Sequence, residues 1–456
     1  MTHPALSTHV GVVEPETLRG ESLVVRQLGA MNLMDSTPID RLFDDAREAE
    51  KESGALAEPL AEVSQLVGYQ EGTMRRNVPD PSAEALQPSL TVSEADGLRI
   101  MKALRRGGAA LRARLTNQCV DAFKAREFLT GHENEPHLTF EEHEASPHVL
   151  WDLMYEGGTL GNVNWESFWG FRVPIAHWVL STRTARISLR RNLFGATHEE
   201  LPFAAREIDA VVRRFHRTGE FLSVSDYFKR SVRERLIAAQ LTDAEADQWL
   251  AEHPSDWLGQ YLFAGAGRPA DPEQWKLDKM VEMLRTTDTG FDLIHFACHS
   301  GPSGGLASRT ELALMVGGEP LVIDVGDMMS NLRIKITSVS MPGPLVFLNA
   351  CRIVTPTQPF QPPPFATSWI NDRGALAVIS AVCPVPDYFA HAFALTYYDF
   401  LVGDADATFA GRSVKGSLAG ALLATRRYFM EVHGNPLGLA YILYASPGAY
   451  IAATGR

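Results

Sequence analysis

Cysteine is scarce here: four residues (Cys119, Cys298, Cys351 and Cys383) in a chain of 456. That is too few, over too long a chain, for a disulfide framework. Basic charge is short as well. The 42 Lys and Arg face 55 Asp and Glu, a net charge of -13. Neither nucleic acid nor a membrane is expected as a partner, because both need a basic face. The one basic run, R-T-A-R-I-S-L-R-R (183–191), reads as a solvated helix or strand face. No apolar stretch approaches the ~20 residues needed to cross a bilayer. The start, M-T-H-P-A-L-S-T-H-V, has no basic segment leading into an apolar one, so no signal peptide is expected. Clusters of Cys and His at zinc-ligand spacing are missing too, and no metal or cofactor is expected. These absences together describe a cytoplasmic protein. Its thiols stay reduced, and a cysteine is free to act as a nucleophile.

What is present is an ordinary apolar fraction, 45%, on a chain long enough for two or three domain-sized units. Residues 1–95 carry a candidate strand at 21–28, two weak helical segments and a Pro-rich linker, and no motif. From Ser93 the spacing of Leu98, Met101, Leu104, Leu111 and Leu115 predicts a helix, interrupted at Gly107-Gly108. Candidate strands at 137–143, 171–180 and 187–195 and a helix at 200–215 give this region an α/β character. Residues 218–270 read as a helical insertion. From Asp271 a helix leads into the part that carries chemistry.

Two short apolar runs there end in reactive residues. F-D-L-I-H-F-A-C-H-S-G ends at His299, Ser300 and Gly301, and G-P-L-V-F-L-N-A-C ends at Cys351. A third, G-A-L-A-V-I-S-A-V (374–382), follows. Runs this short and apolar predict strands buried on both faces of a parallel sheet. Such a sheet presents its chemistry at the carboxyl ends of its strands, so His299 and Cys351 are expected side by side at one edge. A thiol attacks a carbonyl as thiolate and needs a base beside it; His is the side chain suited to that near neutral pH. The backbone N–H groups of Gly301 and Cys351 are the expected oxyanion donors. Either residue alone is more often a core residue. His295, four residues deeper, reads as a core histidine. Cys298 reads as core, Cys383 and Cys119 as bystanders. After His299 a glycine-rich loop is expected, and after Cys351 a long Pro-rich loop (352–366).

At these residues the sequence resembles the CHAT family of caspase-like cysteine peptidases, in the clan of caspases and separases. The family pattern H-x-A-x-H-G stands here as H-F-A-C-H-S-G (295–301), with Ser300 intervening. L-N-A-C is matched at 348–351, G-A-x-A-V-I at 374–379, and the following v-x-D at Val385-Pro386-Asp387. A helix with F-Y is loosely matched at 397–400. An A-x-x-x-A-R helix is roughly matched at 421–427, an l-P-W-E-l-L segment loosely at 149–154, and an A-x-x-E step at 204–207. The separation of 52 residues between His299 and Cys351 is near the ~50 seen between His and Cys in caspases.

The resemblance implies a caspase-like three-layer α/β sandwich. Its parts would be a pseudo-peptidase half (96–217), the insertion (218–270) and an active half (271–456), with residues 1–95 outside the pattern. It implies a cysteine endopeptidase acting on a protein substrate and switched on by an activating protein or protease, in bacterial defence or another regulated cascade. The alternative is a silent scaffold for protein interaction. Asp387 reads either as the specificity-pocket carboxylate, favouring Arg or Lys by charge-assisted pairing, or as the N-cap of a helix over 387–402.

Overall fold

The computed structural model describes residues 10–12, 22–26, 58–63, 90–118, 137–142, 150–157, 162–179, 186–187, 193–198, 201–215, 221–285, 291–303, 306–324, 326–328, 343–351, 366, 369–370, 375–383, 385–409, 411–445 and 449–451. Cys119 and the loop at 352–365 lie outside them.

The expected α/β class is what the chain forms. One sheet holds twelve strands among the described residues. In chain order they are β1 (Val10–Val12), β2 (Ser22–Arg26), β3 (His137–Glu142), β4 (Ile175–Val179), β5 (Leu193–Thr197), β6 (Phe221–Ser223), β7 (Leu293–Ser303), β8 (Leu306–Val316), β9 (Glu319–Asp324), β10 (Leu345–Cys351), β11 (Ala377–Ala381) and β12 (Tyr441–Ala445). The longer helices are α1 (Glu94–Gln118), α2 (Ala204–Phe215), α3 (Val224–Ala238), α4 (Asp243–Glu252), α5 (Trp257–Ala264), α6 (Pro272–Arg285), α7 (Asp387–Val402) and α8 (Leu418–His433).

The spatial order is β1-β2-β3-β4-β12-β11-β10-β7-β5-β6, with β8 and β9 forming a hairpin against the far end of β7. Strands β2, β3, β4 and β12 run parallel to one another, and so do β11, β10, β7, β5 and β6. The two blocks meet antiparallel where β12 lies against β11. The last apolar run of the chain therefore sits at the middle of the sheet.

The apolar runs are explained by cover on both faces. Leu293, Ile294, His295, Phe296, Ala297 and Cys298 are each at most 3% exposed. Alternate residues of a strand point to opposite faces, so neither face of β7 is open. One face lies under α2 and α7, which reach His295 through Glu207 and Tyr398. The other holds Phe296 against Trp369.

Three local expectations need correction. Helix α1 runs unbroken through Gly107-Gly108. Its buried face is Ile100, Met101, Leu104 and Leu111, and Leu98 is exposed. Gly108 sits against the 151–155 segment so closely that a Cβ would lie 2.2 Å from the Leu153 carbonyl oxygen. Packing there outweighs the weak helix propensity of glycine. Of the strand expected at 187–195, the described residues form two separate pieces, Arg186–Ile187 in a small two-stranded sheet with Tyr450–Ile451 and Leu193–Thr197 in the main sheet. Finally, β7 continues through Ser303 rather than entering a loop after Ser300, because β8 returns alongside it.

Between β6 and α6, Ser223 caps α3, and a reciprocal Thr242–Glu245 capping box starts α4. Helix α5 docks on the β8–β9 turn. The Leu258 N–H donates to the Gly317 carbonyl at 3.0 Å, and Lys276 of α6 donates to the Pro320 carbonyl at 3.0 Å. Among the described residues, no helix is long and apolar enough to cross a membrane.

Candidate active site

The parallel register of β7 and β10 pairs Leu345 with Leu293 and continues residue by residue to Cys351 with His299. Partnered positions on neighbouring strands share a face and lie about 4.8 Å apart. Cys351 is the last residue of β10. The backbone thus brings the two candidate residues to one position at the carboxyl edge of the parallel block.

His299 stands where the neighbour of β7 changes. Up to Ala297 that neighbour is β5, through the Thr197–Ala297 pair. From His299 onward it is β8, through the His299–Ala313 pair. His198 closes the junction. Its backbone N–H donates to the Ala297 carbonyl at 3.0 Å, and its ring meets the His299 ring edge to face, with centroids 4.8 Å apart. His198 is nearly buried and His299 half-buried. Gly301 lies in the ladder opposite Glu311. Its backbone is extended strand, so the freedom of a loop does not aim its N–H.

Asp387 is the first residue of α7, and Pro386 occupies the N-cap position. The carboxylate therefore does not cap the helix from the expected place. Its Oδ1 accepts the N–H of Tyr388 at 2.8 Å, and the Phe203 N–H also reaches it. Oδ2 is buried and has no hydrogen-bond partner among the described residues. Burial pushes the carboxyl up from its ordinary 3.8 to about 6. The two N–H groups oppose this, and the negative charge of Glu207 adds to it. One turn on, burial holds His391 below the usual imidazole range. Phe203 packs against both, with ring centroids 4.9 Å from Tyr388 and 6.0 Å from His391.

Directly beneath the pair, on the face that carries His299, lies a closed polar network. His295 is fully buried. Its Nε2 is 2.5 Å from Glu207 Oε1 and its Nδ1 is 2.8 Å from the Tyr398 hydroxyl. Asn349 donates from Nδ2 to the same Glu207 oxygen at 2.7 Å and accepts from the Tyr441 hydroxyl at 2.5 Å. Cys298 and Cys383 are buried in the apolar core. Among the described residues, no group of three or more His, Cys, Asp or Glu side chains could hold a metal.

Sequence reasoning missed His198, His391 and the role of Glu207. Glu207 stood in a quoted motif, and a carboxylate on the apolar face of an amphipathic helix was the signal that it is buried with a partner. His198 follows a short strand with no motif around it.

No family model and no curated protein matches this chain. Among solved structures it is similar to the separase–securin complex of Saccharomyces cerevisiae, with 9% sequence identity and a TM-score of 0.35, over 89% of this chain and 22% of that chain.

Proposed function

We propose that this chain is a cysteine endopeptidase of the caspase-like CHAT kind, with Cys351 as nucleophile and His299 as general base. One observation carries the reading: the β7–β10 register sets the two residues opposite each other at the carboxyl edge of a parallel block. In the reaction, His299 takes the thiol proton and the thiolate attacks the carbonyl carbon of the scissile peptide. The backbone N–H groups of Gly301 and Cys351 receive the oxyanion. The C–N bond breaks as His299 returns the proton to the leaving amine. Water, deprotonated by His299, then releases the acid from the thioester. The residue before the scissile bond would be Arg or Lys, paired with Asp387, whose unpartnered Oδ2 offers an acceptor.

The protein would be latent until a partner or a protease reorders the 352–366 loop beside the nucleophile. Its composition is that of a mobile or cleavable segment.

The test is Cys351→Ala and His299→Ala in the full-length protein, assayed against the proteins encoded beside it, with and without candidate activators. Both variants should abolish cleavage. Cleavage surviving in Cys351→Ala overturns the nucleophile, and equal turnover with and without an activator overturns the latency.

A further inference from the structure

The polar network under the candidate pair admits a self-consistent hydrogen-bond assignment. The Tyr398 hydroxyl stays protonated, since burial pushes its pKa far up, and donates to His295 Nδ1. In the tautomer that this bond sets, His295 donates from Nε2 to Glu207 Oε1. Asn349 donates its amide N–H to that same oxygen, and its own oxygen accepts from Tyr441. Each of these buried donors has an acceptor, and each bond links two different elements: α7 to β7, β7 to α2, α2 to β10, and β10 to β12. Asn349 precedes Cys351 by two residues, on the same face of the same strand and about 7 Å along it. A satisfied buried network fixes a unique arrangement, and this one sits where a shift of β10 against β7 would part Cys351 from His299.

From these bonds we infer that Glu207 and Asn349 are positioning residues for Cys351. Glu207, on a helix from the earlier part of the chain, holds β7 and β10 together through His295 and Asn349 so that the thiol stays in reach of the imidazole. The inference rests on the dyad proposed above.

The test needs no substrate. Alkylation of Cys351 by iodoacetamide, followed at that residue by peptide mass spectrometry across pH 5–9, reports its thiolate fraction. It is measured on the full-length wild type, His299→Ala, Glu207→Ala, Glu207→Gln and Tyr441→Phe, each checked by its melting curve. A free thiol is only a few per cent thiolate at pH 7, so Glu207→Ala and Tyr441→Phe should lower the neutral-pH rate about tenfold, toward that of His299→Ala. Glu207→Gln keeps the accepting oxygen and should return most of the rate. Should Glu207→Ala fail to fold, Tyr441→Phe, which loses one hydroxyl, carries the comparison. Wild-type profiles in Glu207→Ala and Tyr441→Phe, with His299→Ala slowed, overturn the positioning role and leave the dyad standing. A Glu207→Gln variant as slow as Glu207→Ala also overturns it, since charge and not the bonds would then be at work. An unchanged His299→Ala profile overturns the dyad itself, and the positioning role falls with it.

Discussion

Asp387 should cost the protein stability at neutral pH, and removing its charge should return it. The carboxyl titrates at its ordinary 3.8 in the unfolded chain and at about 6 in the folded one. The folded state therefore binds the proton more tightly, and the sign follows. The contribution is fully present below 3.8 and is lost as the pH rises through 6. The difference of about 2 units is worth up to about 3 kcal/mol, and partial solvent access reduces that to ~1–2 kcal/mol. For a chain of this size a kcal/mol moves the melting temperature by roughly 1 °C. Asp387→Asn should then melt progressively higher than wild type as the pH climbs from 4 to 7, reaching about 1–2 °C, with no further gain above. The assay is a differential melt at half-unit pH steps. Parallel curves would refute the reasoning, because a constant offset reports only the amide replacing the carboxyl. If Asp387 also selects the residue before the scissile bond, the same variant loses its preference for Arg or Lys while it gains stability.

Three further outcomes can be stated. Arg426 lies 2.7 Å from Asp152 in a fully buried contact. Burial alone would push Asp152 up, but the Arg426 charge and the His177 hydrogen bond outweigh it and hold the carboxyl at about 2. Arg426→Met should cost ~3–5 kcal/mol in urea unfolding by stranding that charge. The stability that wild type holds above pH 3.8 and loses as pH falls toward 2 should vanish with it; a cost below ~1 kcal/mol contradicts the pairing. Gly108→Ala should destabilise by about 1–3 kcal/mol despite alanine's better helix propensity, since its Cβ meets the backbone of Leu153; a neutral or stabilising result means α1 packs elsewhere. Gly317→Ala adds a Cβ 2.4 Å from the Trp257 ring at a φ of +52°. It should cost ~1–3 kcal/mol and open the β8–β9 turn to limited proteolysis, and an unchanged digest would argue against the docking of α5.

The buried strands were legible because cover on both faces leaves an uninterrupted apolar signature, as in L-I-H-F-A-C and L-V-F-L-N-A. The opposition of His299 and Cys351 was legible for a related reason: each stands at or near the place where such a run gives out. What could not be read is what depends on distant pairing. Nothing in L-A-Y-I-L-Y-A announces that the final strand inserts between β4 and β11 and turns the direction of the sheet there. Glycine at 107–108 signals a break by propensity, yet the contact with Leu153 decides otherwise. The glycine-rich run after Ser300 signals a loop, yet the returning β8 draws Gly301 into the ladder. His198 is adjacent to His299 only because β5 ends where β8 takes over as the neighbour of β7.

The sheet holds a second buried histidine built on the same plan as His295, with different surroundings. His177 on β4 is fully buried and bonds Asp152 at 2.7 Å, as His295 on β7 bonds Glu207 at 2.5 Å. The two strands lie in blocks that run in opposite directions, on either side of the β12–β11 junction. The third partners differ. Asp152 is answered by the cation of Arg426, which also donates to the Gly170 and Tyr441 carbonyls, so that network is tied to α8. Glu207 is answered by the neutral amide of Asn349 on the neighbouring strand, two residues short of Cys351. A cation under β4 locks a helix onto the sheet. An amide under β10 joins that strand to Glu207 of α2 and, through Glu207, to His295 of β7. Tyr441 serves both, offering its carbonyl to Arg426 and its hydroxyl to Asn349. Through this strand a change at Asp152 or Arg426 would reach Asn349, two residues from Cys351, and Glu207 of α2 reaches the same side chain directly.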